Sequence, residues 1–251
     1  MQVIFVGAGP GDPELLTVRA ARLLQTCQCC VYAGSLISPD VLALLPSTAT
    51  RYDSAAMTLD EIVGVYRQAQ AQDIDVVRLH SGDPSIYGAI REQMRRLDAL
   101  GIPYQVVPGV SAFQAAAAAL RTELTAPEIS QTVILTRVGG RTPVPPTQEL
   151  RRLAEARATL CLYLSAQKID EVAQTLAAAY GSECPAAAVY HASWPDQKVV
   201  RATLGTIAAR VAAEGIDRTA LIVVGEALGH SGPASRLYDS GFAHGYRHAA
   251  Q

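Results

Sequence analysis

The chain has 251 residues, room for one large domain or two smaller ones, and 49% of them are hydrophobic against 18% charged, a balance that excludes intrinsic disorder and predicts a packed core. A net charge of −2 and an aromatic content of 6% supply neither the basic surface nor the stacking side chains of a nucleic-acid binder. No apolar run reaches the roughly 18 residues of a membrane span, and QVIFVGAG lacks the basic stretch and cleavage site of a signal peptide, so a cytoplasmic protein without a membrane partner is expected.

In chain order, VIFVGAG from Val3 to Gly9 reads as a strand ending in glycines, and PELLTVRAARLLQT carries apolar residues at helical spacing from Leu15 to Leu24. CCVYAGS repeats the strand signal. SPDVLALL opens with Ser38 as a cap and Pro39 in the first turn, and LDEIVGVYRQAQAQ is amphipathic from Leu59. DVVRLHSGDP predicts a strand running into a Gly-Asp-Pro turn, then IYGAIREQMRRLDALG a helix closed by Gly101. YQVVPGVSAFQAAAAAL adds a strand, a Pro-Gly turn and an alanine-rich helix capped by Ser111.

This alternation predicts an N-terminal α/β domain over residues 1–120, a parallel sheet with helices on both faces. The polar, proline-containing RTELTAPEIS marks a linker, 121–131. From 132 to 242 a second domain is expected, with strands QTVILTR, ATLCLYLS, PAAAVYHA, KVVRATL and ALIVVGE and helices around Glu149–Ala156, Ile169–Tyr180 and Thr206–Glu214. Only SWPDQ separates two of those strands, too little for a helical crossover, so this sheet is mixed. Residues 243–251, AHGYRHAAQ, read as a flexible tail.

Five cysteines include the cluster Cys27, Cys29, Cys30, with no partner pair at zinc spacing, and His80, His191 and His230 stand alone; buried thiols and no metal are the expectation. All but two of the 21 basic residues are Arg, Lys168 and Lys198 being the exceptions. Arg forks suit a polyanionic ligand, although an Arg-favouring codon usage gives the same bias.

In an open parallel sheet, ligands bind beyond the carboxyl ends of the strands, where this chain places glycine- and proline-rich loops. Gly7-Ala8-Gly9-Pro10-Gly11-Asp12-Pro13 departs from the dinucleotide fingerprint, since Asp12 stands where the third glycine belongs and Pro10 removes a backbone donor. In Ser81-Gly82-Asp83-Pro84, Gly82 would let a ligand approach the backbone and Asp83 would accept hydrogen bonds from ribose or amino groups. Asp83 is equally suited to forming the turn. The third loop, Val107-Pro108-Gly109-Val110-Ser111-Ala112, has small residues fit for a flat ligand, or for an ordinary strand-to-helix turn.

VGAGPGDPELLTVRAARLL, LHSGDPSIYG and VPGVSAFQAAAA, in this order and spacing, together with VILTR and LIVVGE, resemble signatures of the tetrapyrrole methyltransferases, the S-adenosylmethionine enzymes of sirohaem and cobalamin synthesis. The likeness spans nearly the whole chain. It implies two α/β domains, a ligand cleft between them and a homodimer. By matching position it implies that Pro10, Ser81, Gly82, Asp83, Ile86, Ser111 and Ala112 line S-adenosylmethionine, joined by Leu164 in LYLS and Ala192 in YHAS. ELTAPEISQTVILTRVGGRTPVPPTQEL resembles the inter-domain segment of the subgroup acting on precorrin-4, which implies C-methylation at C-11 to give precorrin-5. C-17 or C-20 of another precorrin, or a non-tetrapyrrole substrate, are the alternatives within the class. Members that methylate uroporphyrinogen carry an acid after the tyrosine of the second strand, where this chain has Tyr32 followed by Ala33; this speaks against that substrate and assigns no catalytic acid or base.

Methyl transfer to an electron-rich ring carbon needs in-line alignment more than a protein nucleophile. The acetate and propionate arms of a tetrapyrrole need positive charge, for which Arg51, Arg121, Arg137 and Arg141 are the candidates. A dinucleotide oxidoreductase or a non-catalytic nucleoside-binding module are the readings outside the class.

Overall fold

The computed structural model describes residues 1–140, 142–229, 235, 241–243 and 245–246; Arg141, His230 and most of the expected tail, with His244 and His248, lie outside the described residues. The chain divides into two compact units, Met1–Ala119 with His191–Lys198, and Leu120–Tyr190 with Val199–Gln251.

In the first unit the strands are β1 (Val3–Gly7), β2 (Cys29–Tyr32), β3 (Thr50–Asp53), β4 (Val76–His80) and β5 (Tyr104–Val107), in the order β3-β2-β4-β1-β5 with every pairing parallel. Successive residues of a strand face opposite ways, and in β1 both ways are apolar. Ile4 and Val6 join Leu24, Cys30, Val41 and Leu79 beneath α1 (Val18–Thr26) and α2 (Pro39–Leu42). Val3 and Phe5 join Val31, Tyr66 and Leu97 beneath α3 (Leu59–Ala71) and α4 (Ile90–Leu100). The alanine-rich α5 (Ala112–Ala119) closes the sequence of elements.

Local signals set the helix ends. Ser38 accepts from the Asp40 N–H at 3.2 Å, Thr58 and Glu61 form a reciprocal capping box, and Gly101 ends α4 at φ 63°. Three expectations need correcting. PELLTVRAARLLQT is not one helix: Asp12 caps a single 3₁₀ turn, Pro13–Leu15, and Thr17 then starts α1 by accepting from the Ala20 N–H at 3.1 Å. The helix expected from Ile86 begins at Ile90, because Tyr87 and Ala89 sit at φ 56° and 50°, outside the right-handed helical region. A fifth strand, β3, escaped notice because Thr50, Arg51 and Asp53 are exposed and an edge strand with polar faces carries no apolar alternation.

The second unit holds β6 (Val133–Arg137), β7 (Thr159–Tyr163), β8 (Pro185–Tyr190), β9 (Lys198–Thr203) and β10 (Ala220–Val224), in the order β6-β7-β10-β8-β9. β6 and β7 are parallel, whereas β10 runs antiparallel to both β7 and β8, so the sheet is mixed. β8 and β9 are neighbours, as their short connection requires. One face packs Leu160, Leu162, Ala188 and Ile222 against α6 (Leu150–Ala154), α7 (Ile169–Tyr180) and α8 (Ile207–Ala213). The buried Thr159 hydroxyl donates to the Leu124 carbonyl at 2.7 Å, and the Tyr180 hydroxyl to Ala158 at 2.7 Å, so these core polar atoms are paired.

Candidate active site

The carboxyl ends of β1, β4 and β5 carry the three loops singled out in the sequence, and their backbones interlock. Ala8 N–H donates to the His80 carbonyl at 2.7 Å. Gly9 and Gly82 exchange both backbone hydrogen bonds, at 3.2 and 2.8 Å. A Cβ on Gly7 would lie 2.6 Å from the Gly109 Cα, and one on Gly109 would lie 2.2 Å from the Gly82 carbonyl oxygen, both far inside contact distance. Gly82 itself takes φ 64° with space around a notional Cβ, so it is glycine for conformation, whereas Gly7 and Gly109 are glycine for the close approach of backbone to backbone.

Asp83 ties the second loop to the third. One carboxylate oxygen accepts from Gly109 N–H at 2.8 Å, and the other from Ser85 N–H at 2.8 Å and from the Ser85 hydroxyl. Partial burial would push this carboxyl up, but the hydrogen bonds from Ser85 and Gly109 outweigh it and hold the group below the usual carboxylate value. Asp83 is therefore a turn-former and cross-loop clamp, ionised at neutral pH. Ser111 is buried, and its N–H donates to the Gln114 side chain at 2.9 Å at the start of α5. Around these lie Pro10, buried, Ser81, exposed, and Ile86 and Ala112, half-buried.

The segment His191–Lys198, whose residues 193–197 are the expected short link between two strands and whose His191 and Ala192 follow β8 instead of belonging to it, packs within this first unit. Trp194 Nε1–H donates to the Pro10 carbonyl at 2.8 Å, the Asp12 N–H donates to Ser193 Oγ at 3.0 Å, and the indole covers Gly11 so closely that a Cβ there would fall 2.0 Å from the ring. His191 stacks on the indole at 4.4 Å between ring centroids, with its Nδ1 2.9 Å from Asp196. Ala192 is buried between them in sequence. Trp194 is the chain's single Trp, and its position in a five-residue polar link was the one available hint of a packing role.

Behind the loops, β4 carries two buried polar side chains, Arg78 and His80. Arg78 donates to Gln93 Oε1 at 3.2 Å and to the Val31 carbonyl at 3.3 Å, and Tyr66 donates to the same Gln93 oxygen at 2.7 Å. His80 is 5% exposed and its Nε2 has no partner; burial, then the Arg78 charge, push its pKa down to about 3, so the imidazole is neutral.

Of the remaining candidates, Arg51 belongs to the first unit, and Arg121, Arg137 and Leu164 to the second. Arg51 donates to the Leu45 and Pro46 carbonyls at 3.1 and 3.4 Å. Arg121 is exposed at φ 48° just beyond α5. Arg137, in the second unit, uses its guanidinium on the Thr142 and Pro143 carbonyls of its own loop at 3.0 and 2.8 Å. Leu164, at the end of β7, is 75% exposed and held at φ 52°. Among the described residues there is no group of three or more side chains able to hold a metal ion, and no helix long and apolar enough to cross a membrane.

The loops fit a cationic nucleoside better than a dinucleotide. No Lys or Arg occurs in Gly7–Pro13, Ser81–Gly88 or Pro108–Ala112, while an ionised carboxylate does. The first loop leads into a 3₁₀ turn, and α1 starts only at Val18, so the helix that follows does not begin at Gly7–Gly11 as it does where a strand-to-helix loop takes a pyrophosphate. A parallel five-stranded sheet with such loops, followed by a mixed five-stranded sheet, defines a class, and residues 2–208 match the model of the tetrapyrrole (corrin/porphyrin) methylases. The chain belongs to that family. Among its relatives, the precorrin-4 C(11)-methyltransferase of Mycobacterium tuberculosis is 54% identical over 230 residues, 91% of this chain and 92% of that one. The solved structure of a cobalamin biosynthetic enzyme, cobalt precorrin-4 methyltransferase, superposes with a TM-score of 0.88 at 42% identity, covering 91% of this chain and 96% of that chain. A uroporphyrin-III C-methyltransferase of Thermus thermophilus complexed with S-adenosylhomocysteine gives 0.74 at 30% identity, covering 91% and 93%.

Proposed function

We propose that this protein is an S-adenosylmethionine-dependent C-methyltransferase that methylates precorrin-4, or its cobalt complex, at C-11 in cobalamin biosynthesis. The observation that carries the reading is the interlocked loop cluster at the ends of β1, β4 and β5, which lacks basic residues, in a chain 54% identical to a precorrin-4 C(11)-methyltransferase. S-adenosylmethionine supplies an activated methyl on a sulfonium cation. Pro10, Ser81, Gly82, Asp83, Ile86, Ser111, Ala112 and Ala192 are the residues of the first unit we assign to it. Ser81 and backbone groups of the loops supply hydrogen-bonding atoms, and the ionised Asp83 keeps the local field negative, which favours a cationic ligand. Because the glycine contacts fix the loops before any ligand arrives, binding costs little ordering entropy, and orientation of the reactants is the main contribution to rate.

The substrate's carboxylate arms call for cations. Of the Arg candidates, Arg51 and Arg137 already spend their forks on loop carbonyls, which leaves Arg121 and Arg141 as the first to test. We further propose a homodimer working in the cytoplasm; the five cysteines, all unpaired and buried, suit a reducing compartment. Sedimentation as a single 26.6 kDa species would exclude the dimer.

The deciding experiment is calorimetric titration with S-adenosylhomocysteine, with NADH as control, followed by turnover of precorrin-4 with methyl-labelled S-adenosylmethionine and NMR location of the labelled carbon. Saturable binding of the first ligand alone and label at C-11 are expected. NADH binding without S-adenosylhomocysteine binding overturns the class, and label at another carbon overturns the position.

A further inference from the structure

Backbone contacts lock the ligand loops together at Gly7, Gly9, Gly82 and Gly109, but beyond Gly9 the first loop takes bonds from the segment that follows β8. The buried Pro10 offers a carbonyl and no N–H, and that carbonyl accepts from the Trp194 indole N–H at 2.8 Å. The Asp12 N–H donates to Ser193 Oγ at 3.0 Å. Between them the indole covers the buried Gly11, where a Cβ would fall 2.0 Å from the ring.

The segment is built to keep the indole in place. Trp194 N–H donates to the His191 carbonyl at 2.9 Å, Gln197 N–H to the Trp194 carbonyl at 3.1 Å, and Ser193 N–H to the Gln197 side chain at 2.8 Å. The His191 ring, tied to Asp196, stacks on the indole. His191 and Ser193 take φ 45° and 71°, left-handed conformations that residues other than glycine adopt at a cost and that persist only where surrounding bonds over-determine them. Strain of this kind, set on either side of Ala192, shapes the segment for more than joining two strands.

We infer that Trp194 is a positioning residue for the cofactor: with Ser193 it fixes residues 10–12 and thereby sets how tightly the first loop holds S-adenosylmethionine. The inference rests on the assignment of the loops to that ligand. Without the indole, Gly11 is free to sample conformations closed to other residues, the Pro10 carbonyl loses its donor, and the ordering of the loop falls on the binding step. Ala192, two residues before Trp194, is itself assigned to the cofactor, so a shift of the indole disturbs two ligand-lining segments together.

The test measures calorimetric affinity for S-adenosylhomocysteine and steady-state kinetics in the full chain and two variants. Trp194→Phe keeps a ring over Gly11 but has no N–H for Pro10, and Ser193→Gly keeps the left-handed backbone but has no hydroxyl for Asp12. Trp194→Phe is expected to bind S-adenosylhomocysteine about tenfold more weakly, about 1.4 kcal/mol, and to raise KM for S-adenosylmethionine by a similar factor with KM for the tetrapyrrole unchanged. Ser193→Gly is expected to weaken the same binding about threefold, and it decides the matter if Trp194→Phe fails to fold. Wild-type affinity in the folded variants overturns the inference. Equal rises in the two KM values also overturn it, because general loosening of the protein moves both. Wild-type protein that binds no S-adenosylhomocysteine overturns the assignment of the loops, and the inference with it, so the two failures are told apart.

Discussion

The loops of the first sheet and the loop after β6 in the second unit both leave a strand through glycines, yet different atoms hold them. In the first, main chain meets main chain: Gly9 pairs with Gly82, and Gly7 and Gly109 touch where no Cβ fits. In the second, side chains brace the main chain. Arg137 reaches the Thr142 and Pro143 carbonyls, Lys168 Nζ reaches the Gly139 carbonyl at 2.7 Å, and Ser165 accepts from Val138 N–H at 3.0 Å. Gly139 and Gly140 there have open space or ordinary contact around a notional Cβ. A junction of backbones is rigid and intolerant, because no rotamer can yield, whereas a long basic side chain can shift its strut or surrender it to water.

The contrast breaks most sharply at Gly109. Ala at this position sets a methyl 2.2 Å from the Gly82 carbonyl oxygen, so the loops must part; the cost is about 3 kcal/mol or more in overpacking. Gly109→Ala is expected to lower the urea midpoint markedly and to abolish S-adenosylhomocysteine binding. Gly140→Ala, with nothing within 4 Å, is the matched control in the second unit and should leave both unchanged. Equal effects would show that the two loops are held alike.

Asp83 comes next. Asp83→Asn keeps the shape but loses charge-assisted bonds to Gly109 and Ser85, a loss of about 2 kcal/mol. The pH dependence has a definite sign. The folded pKa of Asp83 is depressed below its unfolded value, so its stabilisation is full above about pH 4 and is lost as pH falls through the folded value. His80, with its folded pKa near 3, adds an acid loss that begins near its unfolded value of about 6.5. Both proteins share the His80 loss. The two stability curves should therefore run parallel from neutral pH down to about 4 and converge only below it; parallel curves throughout would show that Asp83 does not contribute through its charge.

Gly82 separates conformation from clash within the same junction. Ala there has its nearest neighbour at 3.6 Å but must hold φ 64°, a left-handed strain of about 1 kcal/mol. Gly82→Ala is expected to cost stability by that amount, less than Gly109→Ala, and to weaken S-adenosylhomocysteine binding without abolishing it. A loss of binding as large as that at Gly109 would mean that the ligand needs the space in which the methyl lies.

Much of this arrangement was legible in the sequence, for physical reasons. Buried strands such as VIFV and VVRLH declare themselves because both their faces are covered, and Ser38, Thr58 and Gly101 mark helix ends through bonds within a few residues. The three loops could be located from their glycines, but not the division of labour among them. Whether a glycine serves φ or close approach depends on a partner as far away as Gly109 is from Gly7. The same holds for Trp194, whose bond to Pro10 spans 184 residues. β3 and the break before α1 were missed because local polarity and helical spacing, taken alone, gave the wrong answer at Thr50–Asp53 and Leu15–Thr17.

The smallest expected effect lies at Lys168, the side-chain strut in the second unit. Its Nζ bonds the Gly139 carbonyl and pairs with Glu171 at 2.9 Å, three residues on along α7, with side-chain exposures of 40% and 54%. A pair this exposed is screened by solvent and contributes on the order of 0.5 kcal/mol, and the carbonyl freed by Lys168→Met can turn to water. Thermal unfolding of Lys168→Met should fall by only a degree or two, on the order of 0.5 kcal/mol for a domain of this size. The shift should shrink further for wild type against variant in high salt, because the Glu171 pair is already screened there. A drop approaching that of Gly109→Ala would mean that the loop after β6 is as rigidly specified as the backbone junction, with Lys168 its keystone.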